Sequence, residues 1–199
     1  MMLYFWELLL STVAIFAGIA FVNGSYDAVS YCKLIEREIL NSISYPQSSI
    51  YNASLASYYS GQESDLEPSC IFSPVDTAQV SKFIKLVTGK DHHPQASQPL
   101  RFAIRSGGHM IWSGSANIQG GITVDLRSMN ALLLNEDRSV ASLGTGGIWS
   151  EIYSQLVPYN LTVMGGRVAG IGVGGLSTGG KKSVKKTIRL NYLLTETSL

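Results

Sequence analysis

The stretch Arg101-Phe102-Ala103-Ile104-Arg105-Ser106-Gly107-Gly108-His109 alternates over its first five residues, then runs into two glycines and a histidine. Alternation of this kind predicts a strand. The element before it is a helix. Ser73-Pro74-Val75-Asp76 supplies an N-cap, a proline at the first helical position and an acidic residue in the first turn. Val80, Phe83, Ile84 and Val87 then share one face, and Gly89 ends the run. Cys70-Ile71-Phe72, just upstream, is a short strand candidate. Strand, helix, strand predicts a βαβ unit with a right-handed crossover and a parallel sheet. Open sheets of that kind bind ligands at the carboxyl ends of their strands, where Ser106 to His109 fall. Gly107 and Gly108 can turn backbone N–H groups inward as a nest for phosphate oxygens. His109 follows as a side chain able to act as base, ligand or nucleophile, or simply as a hydrogen-bonded histidine beside a tight turn.

Downstream, Ile122 to Leu126 and Ser139 to Leu143 read as strands, and Ile148, Ile152, Tyr153 and Leu156 mark a helix that Pro158 ends. Leu161 to Met164 reads as a last short strand. Residues 165–180 hold eight of the 16 glycines found between positions 107 and 180, a density too high for a packed helix or strand. Gly170, Gly172 and Gly175 satisfy the dinucleotide fingerprint G-x-G-x-x-G, but Gly165 to Ala169 separate it from the preceding strand. A nicotinamide site would also need an acidic residue about 20 positions on, and only Glu196 is near. A backbone surface lying flat against a large planar ligand fits the run better.

Upstream, Val29, Cys32, Ile35, Ile39 and Leu40 keep an apolar face at helical spacing over residues 28–41, and residues 42–69 read as loop. Residues 8–22 form an uncharged apolar run, shorter than the roughly 20 residues a membrane-crossing helix needs, and Val22 and Gly24 follow the small-residue pattern of a cleavage site. Residues 1–24 are therefore expected to be a signal peptide, the chain secreted and no membrane segment left after cleavage. Export favours a disulfide between the two cysteines, Cys32 and Cys70. Asn52 and Asn160 begin glycosylation triplets, as does Asn23 if it survives processing. His92 and His93 read as solvated loop residues.

The 199-residue chain carries 15 basic and 14 acidic side chains, and 45% of it is hydrophobic, which is globular rather than disordered composition. Ten basic and 12 acidic residues lie in residues 25–180, so this body offers no basic face for nucleic acid. Two cysteines exclude a metal-thiolate cluster. Five basic residues crowd the last 19 positions, 181–199, a divergent basic tail.

Arg105-Ser106-Gly107-Gly108-His109, continuing as Met110-Ile111-Trp112-Ser113-Gly114 and followed by Gly121-Ile122-Thr123-Val124-Asp125-Leu126, resembles the FAD loop and next strand of the vanillyl-alcohol oxidase and p-cresol methylhydroxylase (PCMH-type) flavoprotein family, in its berberine bridge enzyme-like branch. Gly172 to Gly180 is similar to that family's glycine run along the cofactor, and Cys32 and Cys70 match a disulfide pair common in the branch. The resemblance spans about Cys32 to Gly180. It implies an α+β fold, a PCMH-type FAD-binding domain over residues 25–180 made of two α/β subdomains, the first near residues 28–105.

By that resemblance His109 carries FAD covalently, and Arg105, Ser106, Gly107, Gly108, Ser113, Gly114, Gly170, Gly172, Val173, Gly174, Gly175, Gly179 and Gly180 bind the cofactor. Val168 stands where members with a second flavin bond have a cysteine, so attachment is expected through His109 alone. The implied activity is FAD-dependent oxidation of an alcohol, sugar or alkaloid-like small molecule, with molecular oxygen as acceptor. After Gly180 the likeness stops. The family's substrate domain is therefore expected to be missing and this product inactive; the alternative is a non-catalytic secreted glycoprotein that binds little or no flavin. The catalytic base stays unassigned.

Overall fold

The computed structural model describes residues 28–88, 100–179 and 189–192. The signal-peptide reading of residues 1–24, Asn23, Gly89, His92, His93, Gly180 and most of the basic tail lie outside the described residues.

Helix α1 (Ala28–Glu38) turns Tyr31, Cys32 and Ile35 inward at helical spacing. Cys32 is bonded to Cys70 in strand β2 (Cys70–Phe72), which ties α1 to the sheet across 38 positions. Closing a loop of that size stabilises by about 4 kcal/mol in the chain-entropy account. Strand β1 (Ile43–Ser44) runs antiparallel to β2. Helix α4 (Thr77–Thr88) follows the Pro74 turn, and β3 (Phe102–Arg105) and β4 (Ile122–Asp125) complete a four-stranded sheet.

The expected parallel unit is present with one change of order. β2 and β3 are parallel but not neighbours, because β4 lies between them in the order β1-β2-β4-β3. Burial explains the insertion. All four residues of β4 are buried, as suits a central strand covered on both faces, whereas Ile104 of β3 remains exposed at the edge. The first subdomain therefore runs through Asp125 rather than ending near residue 105. Its core joins Ile35, Phe72, Phe83, Leu86, Ile122 and Val124. The Phe83 ring stacks on Phe72 at 5.0 Å and meets Phe102 edge-on at 5.4 Å.

Residues 42–69 are not a loop. Besides β1 they form α2 (Ser49–Ala56) and the single turn α3 (Gly61–Ser64). Ser48 caps α2 by accepting the Tyr51 N–H at 3.3 Å, yet the helix buries only Tyr51 and Ser54, too narrow a face to register as apolar periodicity.

The second sheet pairs β5 (Leu132–Leu134) antiparallel to β6 (Val140–Leu143), with β7 (Arg189–Tyr192) parallel on the other side of β6. Helix α5 (Trp149–Leu156) packs Trp149, Ile152 and Leu156 with Leu143, Val163 and Val173 into a second core. Val157–Tyr159 continues it as one 3-10 turn, which Asn160 closes at φ +55°. The chain then folds back, the Leu161 N–H bonding to the Leu156 carbonyl, so Leu161 to Met164 pairs as no strand. The glycine run likewise departs from expectation: Val173–Thr178 is a short helix, α6, anchored by buried Val173. Asn52 and Asn160 are both exposed. No helix among the described residues is long and apolar enough to cross a membrane.

Candidate functional site

Strand β3 delivers Arg105 and then releases the chain into Ser106 to His109. Arg105 is fully buried, its guanidinium packed against Gly108, where an added Cβ would lie 2.8 Å from Nε and 3.0 Å from Nη2. Its Nη1 donates to the Ser54 carbonyl at 2.7 Å and to Ser54 Oγ at 3.1 Å, and its Nη2 donates to the Ser57 carbonyl and Oγ, both at 2.9 Å. The guanidinium also covers the Tyr58 ring at 3.7 Å and lies 3.9 Å from Asp125. These contacts correct the assignment of Arg105 to the cofactor. It closes the C-terminal end of α2, satisfying carbonyls that a helix end leaves open, and so fixes the base of the loop.

Asp125, at the end of β4, is gripped by Arg127, whose Nε donates to both carboxylate oxygens at 2.9 and 3.0 Å and whose Nη2 donates at 2.6 Å. Ser54 Oγ adds a bond at 2.8 Å. Burial pushes the carboxyl up, but Arg127, the nearby Arg105 charge and Ser54 outweigh it and hold Asp125 below the ordinary aspartate range.

The loop meets the glycine run backbone to backbone. A Cβ on Gly107 would lie 2.5 Å from the Gly172 nitrogen, and a Cβ on Gly172 would strike the Gly107 nitrogen. Neither position admits a side chain. Ser106 Oγ bridges the same seam, donating to the Thr145 carbonyl at 2.7 Å and accepting the Gly174 N–H at 3.1 Å. Gly174 N–H also bonds the Thr145 carbonyl at 3.1 Å, and Val173 N–H the Gly147 carbonyl at 2.9 Å. Two segments some 65 positions apart, each singled out in the sequence, thus share one seat.

His109 stands at the edge of that seat, half-buried. One imidazole face stacks on the Tyr59 ring at 4.0 Å with the planes 14° apart. Gly170, at φ +83°, approaches the ring on its Cδ2 and Nε2 side, where an added Cβ would lie 3.4 and 3.8 Å away. Gly175 has open space where a Cβ would stand, and Gly114 likewise, at φ +84° in an exposed turn beside Ser113. Gly179 closes α6. Ser106, Gly107, Gly108, His109, Gly170, Gly172, Val173 and Gly174 therefore come together, while Ser113, Gly114, Gly175 and Gly179 lie on exposed backbone around them.

Several residues of this arrangement went unread in the sequence. Tyr58 donates its hydroxyl to the Ala116 carbonyl, Tyr59 gives its N–H to the Gly108 carbonyl at 3.1 Å, and Glu63 Oε1 accepts the N–H groups of Ser115 and Ala116, both at 2.9 Å. All three lie within residues 42–69, and finding α2 would have exposed them. Gly144 and Gly146 were also missed. A Cβ on either would strike the backbone of residues 126–129, so this turn too packs by close backbone approach. Among the described residues no group of three or more His, Cys, Asp or Glu is placed to hold a metal.

A family model described as FAD binding domain matches residues 68–189. The FAD-dependent monooxygenase sdcF of Emericella nidulans is 38% identical over 152 residues, covering 76% of this chain and 30% of that protein. Among solved structures, 6-hydroxy-D-nicotine oxidase of Arthrobacter nicotinovorans superposes with a TM-score of 0.54 at 27% identity, covering 66% of this chain and 26% of its own. The BBE-like 1 protein of Physcomitrella patens shares the fold, with a TM-score of 0.56 at 22% identity over 72% of this chain and 29% of that one. The chain spans less than a third of the length of the curated relatives it matches, 30%, 26% and 23% for three of them.

Proposed function

This chain belongs to the FAD-binding domain family, and we propose on that premise that it is the cofactor-holding part of a FAD-linked oxidoreductase whose flavin is bonded to His109. The observation that carries the reading is the seam itself. Gly107 and Gly172 meet with no room for a side chain, beside an imidazole held at the edge of the resulting bare backbone. A seat of that kind suits a large planar cofactor with a diphosphate, and a histidine at its rim suits attachment. Ser106 to Gly108 would hold the diphosphate through backbone N–H groups, and Gly170 to Gly175 would lie along the cofactor. Bound FAD would supply two-electron oxidation.

The chain's own part is to bind, orient and anchor. A covalent bond through His109 would fix the ring system against loss and leave the glycine surface free to set its plane. The reaction proposed for the whole protein is oxidation of an alcohol, sugar or alkaloid-like small molecule, with molecular oxygen as electron acceptor. Related proteins named as FAD-dependent monooxygenases and as a nicotine oxidase support a small organic substrate and oxygen. Export fits the Cys32–Cys70 bond, which persists in an oxidising compartment. Asn52 and Asn160 are the glycosylation positions that go with it.

Peptide mapping by mass spectrometry of protein digested after acid denaturation tests the reading. Acid-stable flavin on the peptide containing His109, lost in His109→Ala, supports it. Absence of flavin from the wild type would replace it with that of a secreted glycoprotein without cofactor, and flavin retained in His109→Ala would move the attachment elsewhere.

A further inference from the structure

We infer that Tyr59 is a positioning residue that sets the plane of the His109 imidazole for flavin attachment, an inference that rests on the function proposed above. The Tyr59 ring is stacked on the imidazole at 4.0 Å and 14°, although 64% of the residue's surface remains exposed. An aromatic side chain left so far in solvent contributes little to a core, so its packing on His109 is its main contact of consequence.

The backbone beneath is fixed independently of that ring. Tyr59 N–H bonds the Gly108 carbonyl at 3.1 Å, Ser60 Oγ bonds the Ile111 carbonyl at 3.3 Å, Tyr58 hydroxyl bonds the Ala116 carbonyl at 2.8 Å, and Arg105 holds Ser57 from behind. Residues 57–63 thus bracket the loop of residues 108–116 at successive points. The family match begins at residue 68, so this bracket comes from chain outside the matched segment.

Attachment would exchange the imidazole N–H and one C–H of the flavin 8α methyl for an N–C bond, the two electrons and two protons released passing to molecular oxygen, and it needs a ring nitrogen directed at that carbon. Tyr59 covers one face of the imidazole and Gly170 stands close to its Cδ2 and Nε2 edge. Rotation of the imidazole about its bond to Cβ would have to displace the Tyr59 ring. Removing that ring leaves His109 present but able to turn, so a correctly directed ring nitrogen becomes one orientation among several. The hydroxyl of Tyr59 plays no part in this, and phenylalanine should serve as well.

Two readouts on the full chain test the inference. The first is the rate at which acid-stable flavin accumulates when FAD is added to cofactor-free protein, followed by in-gel fluorescence. Tyr59→Ala and Tyr59→Leu should slow it about five-fold, the effect of losing one aromatic stack, while Tyr59→Phe should match the wild type. The second needs no flavin: the ring-proton resonances of His109, assigned through His109→Ala, should move downfield in Tyr59→Ala and Tyr59→Leu and stay in place in Tyr59→Phe. Unchanged resonances, or a Tyr59→Leu rate equal to wild type, overturn the role of Tyr59 and leave the attachment site standing. A wild type that gains no acid-stable flavin, or a His109→Ala variant that still gains it, overturns the attachment site, and the role of Tyr59 with it.

Discussion

Residues 28–125 fix their junction loop with side chains, through the Arg105 guanidinium on α2, the Tyr59 ring on His109 and the Glu63 carboxylate on residues 115 and 116. Residues 126–179 fix theirs with glycines, at 144, 146, 165, 166 and 172, where backbone or the Trp149 ring occupies the space a Cβ would need. The first region also has a disulfide and a buried ion pair; the second has a core built around Trp149. The difference teaches where each half tolerates change. The side-chain half should be sensitive to truncation, with enlargement barred there at Gly107 and Gly121, and the glycine half chiefly to enlargement, with Ser106 as the bond that joins them.

Arg105→Met should give the largest loss, about 3–5 kcal/mol in chemical denaturation, because it removes four hydrogen bonds to Ser54 and Ser57 and one of the two guanidinium charges beside buried Asp125. Next comes a matched pair in the glycine half. Gly165→Ala would force a methyl into the Trp149 ring and should cost about 1–3 kcal/mol, whereas Gly175→Ala meets nothing within 4 Å, lies in a helix, and should be neutral or stabilising by up to about 1 kcal/mol. Equal losses at both positions would break the comparison. Ser106→Ala removes the bonds to Thr145 and Gly174 across the seam and should cost about 1 kcal/mol, read from the denaturation midpoint.

Acid should act at the boundary itself, since Asp125 ends the first region and its main partner, Arg127, belongs to the second. Asp125 titrates below the ordinary aspartate range in the folded chain, so the stability it confers is complete above about pH 4 and is lost as the pH falls through its folded value. Melting temperature plotted against pH should therefore fall less steeply below pH 4 in Asp125→Asn than in the wild type, from a lower starting point at neutral pH.

Much of this architecture could be read from local signals. Pro74 and the apolar face of Val80, Phe83 and Val87 located α4, the alternation of residues 101–105 located β3, and α5 was evident from Ile152, Tyr153 and Leu156. The glycine density of the two segments marked close backbone approach, though not that Gly107 and Gly172 would meet each other. What escaped was set by tertiary contact. α2 buries too few residues to show a period, β4 inserts between β2 and β3 through its burial on both faces, and α6 forms in a glycine run because Val173 fills the second core. Arg105 joined the cofactor set through the resemblance, whereas its partners, Ser54 and Ser57 at the end of α2 and Asp125, are set by tertiary contacts that strand alternation does not give.

The central claim is that one loop from each half forms a single flavin seat. Hydrogen–deuterium exchange of His109→Ala, which removes the proposed covalent bond, measured with and without added FAD, tests it most directly. Protection should rise together in residues 106–109 and 170–175 when FAD is added. Protection confined to one of the two segments, or absent from both, would contradict the claim.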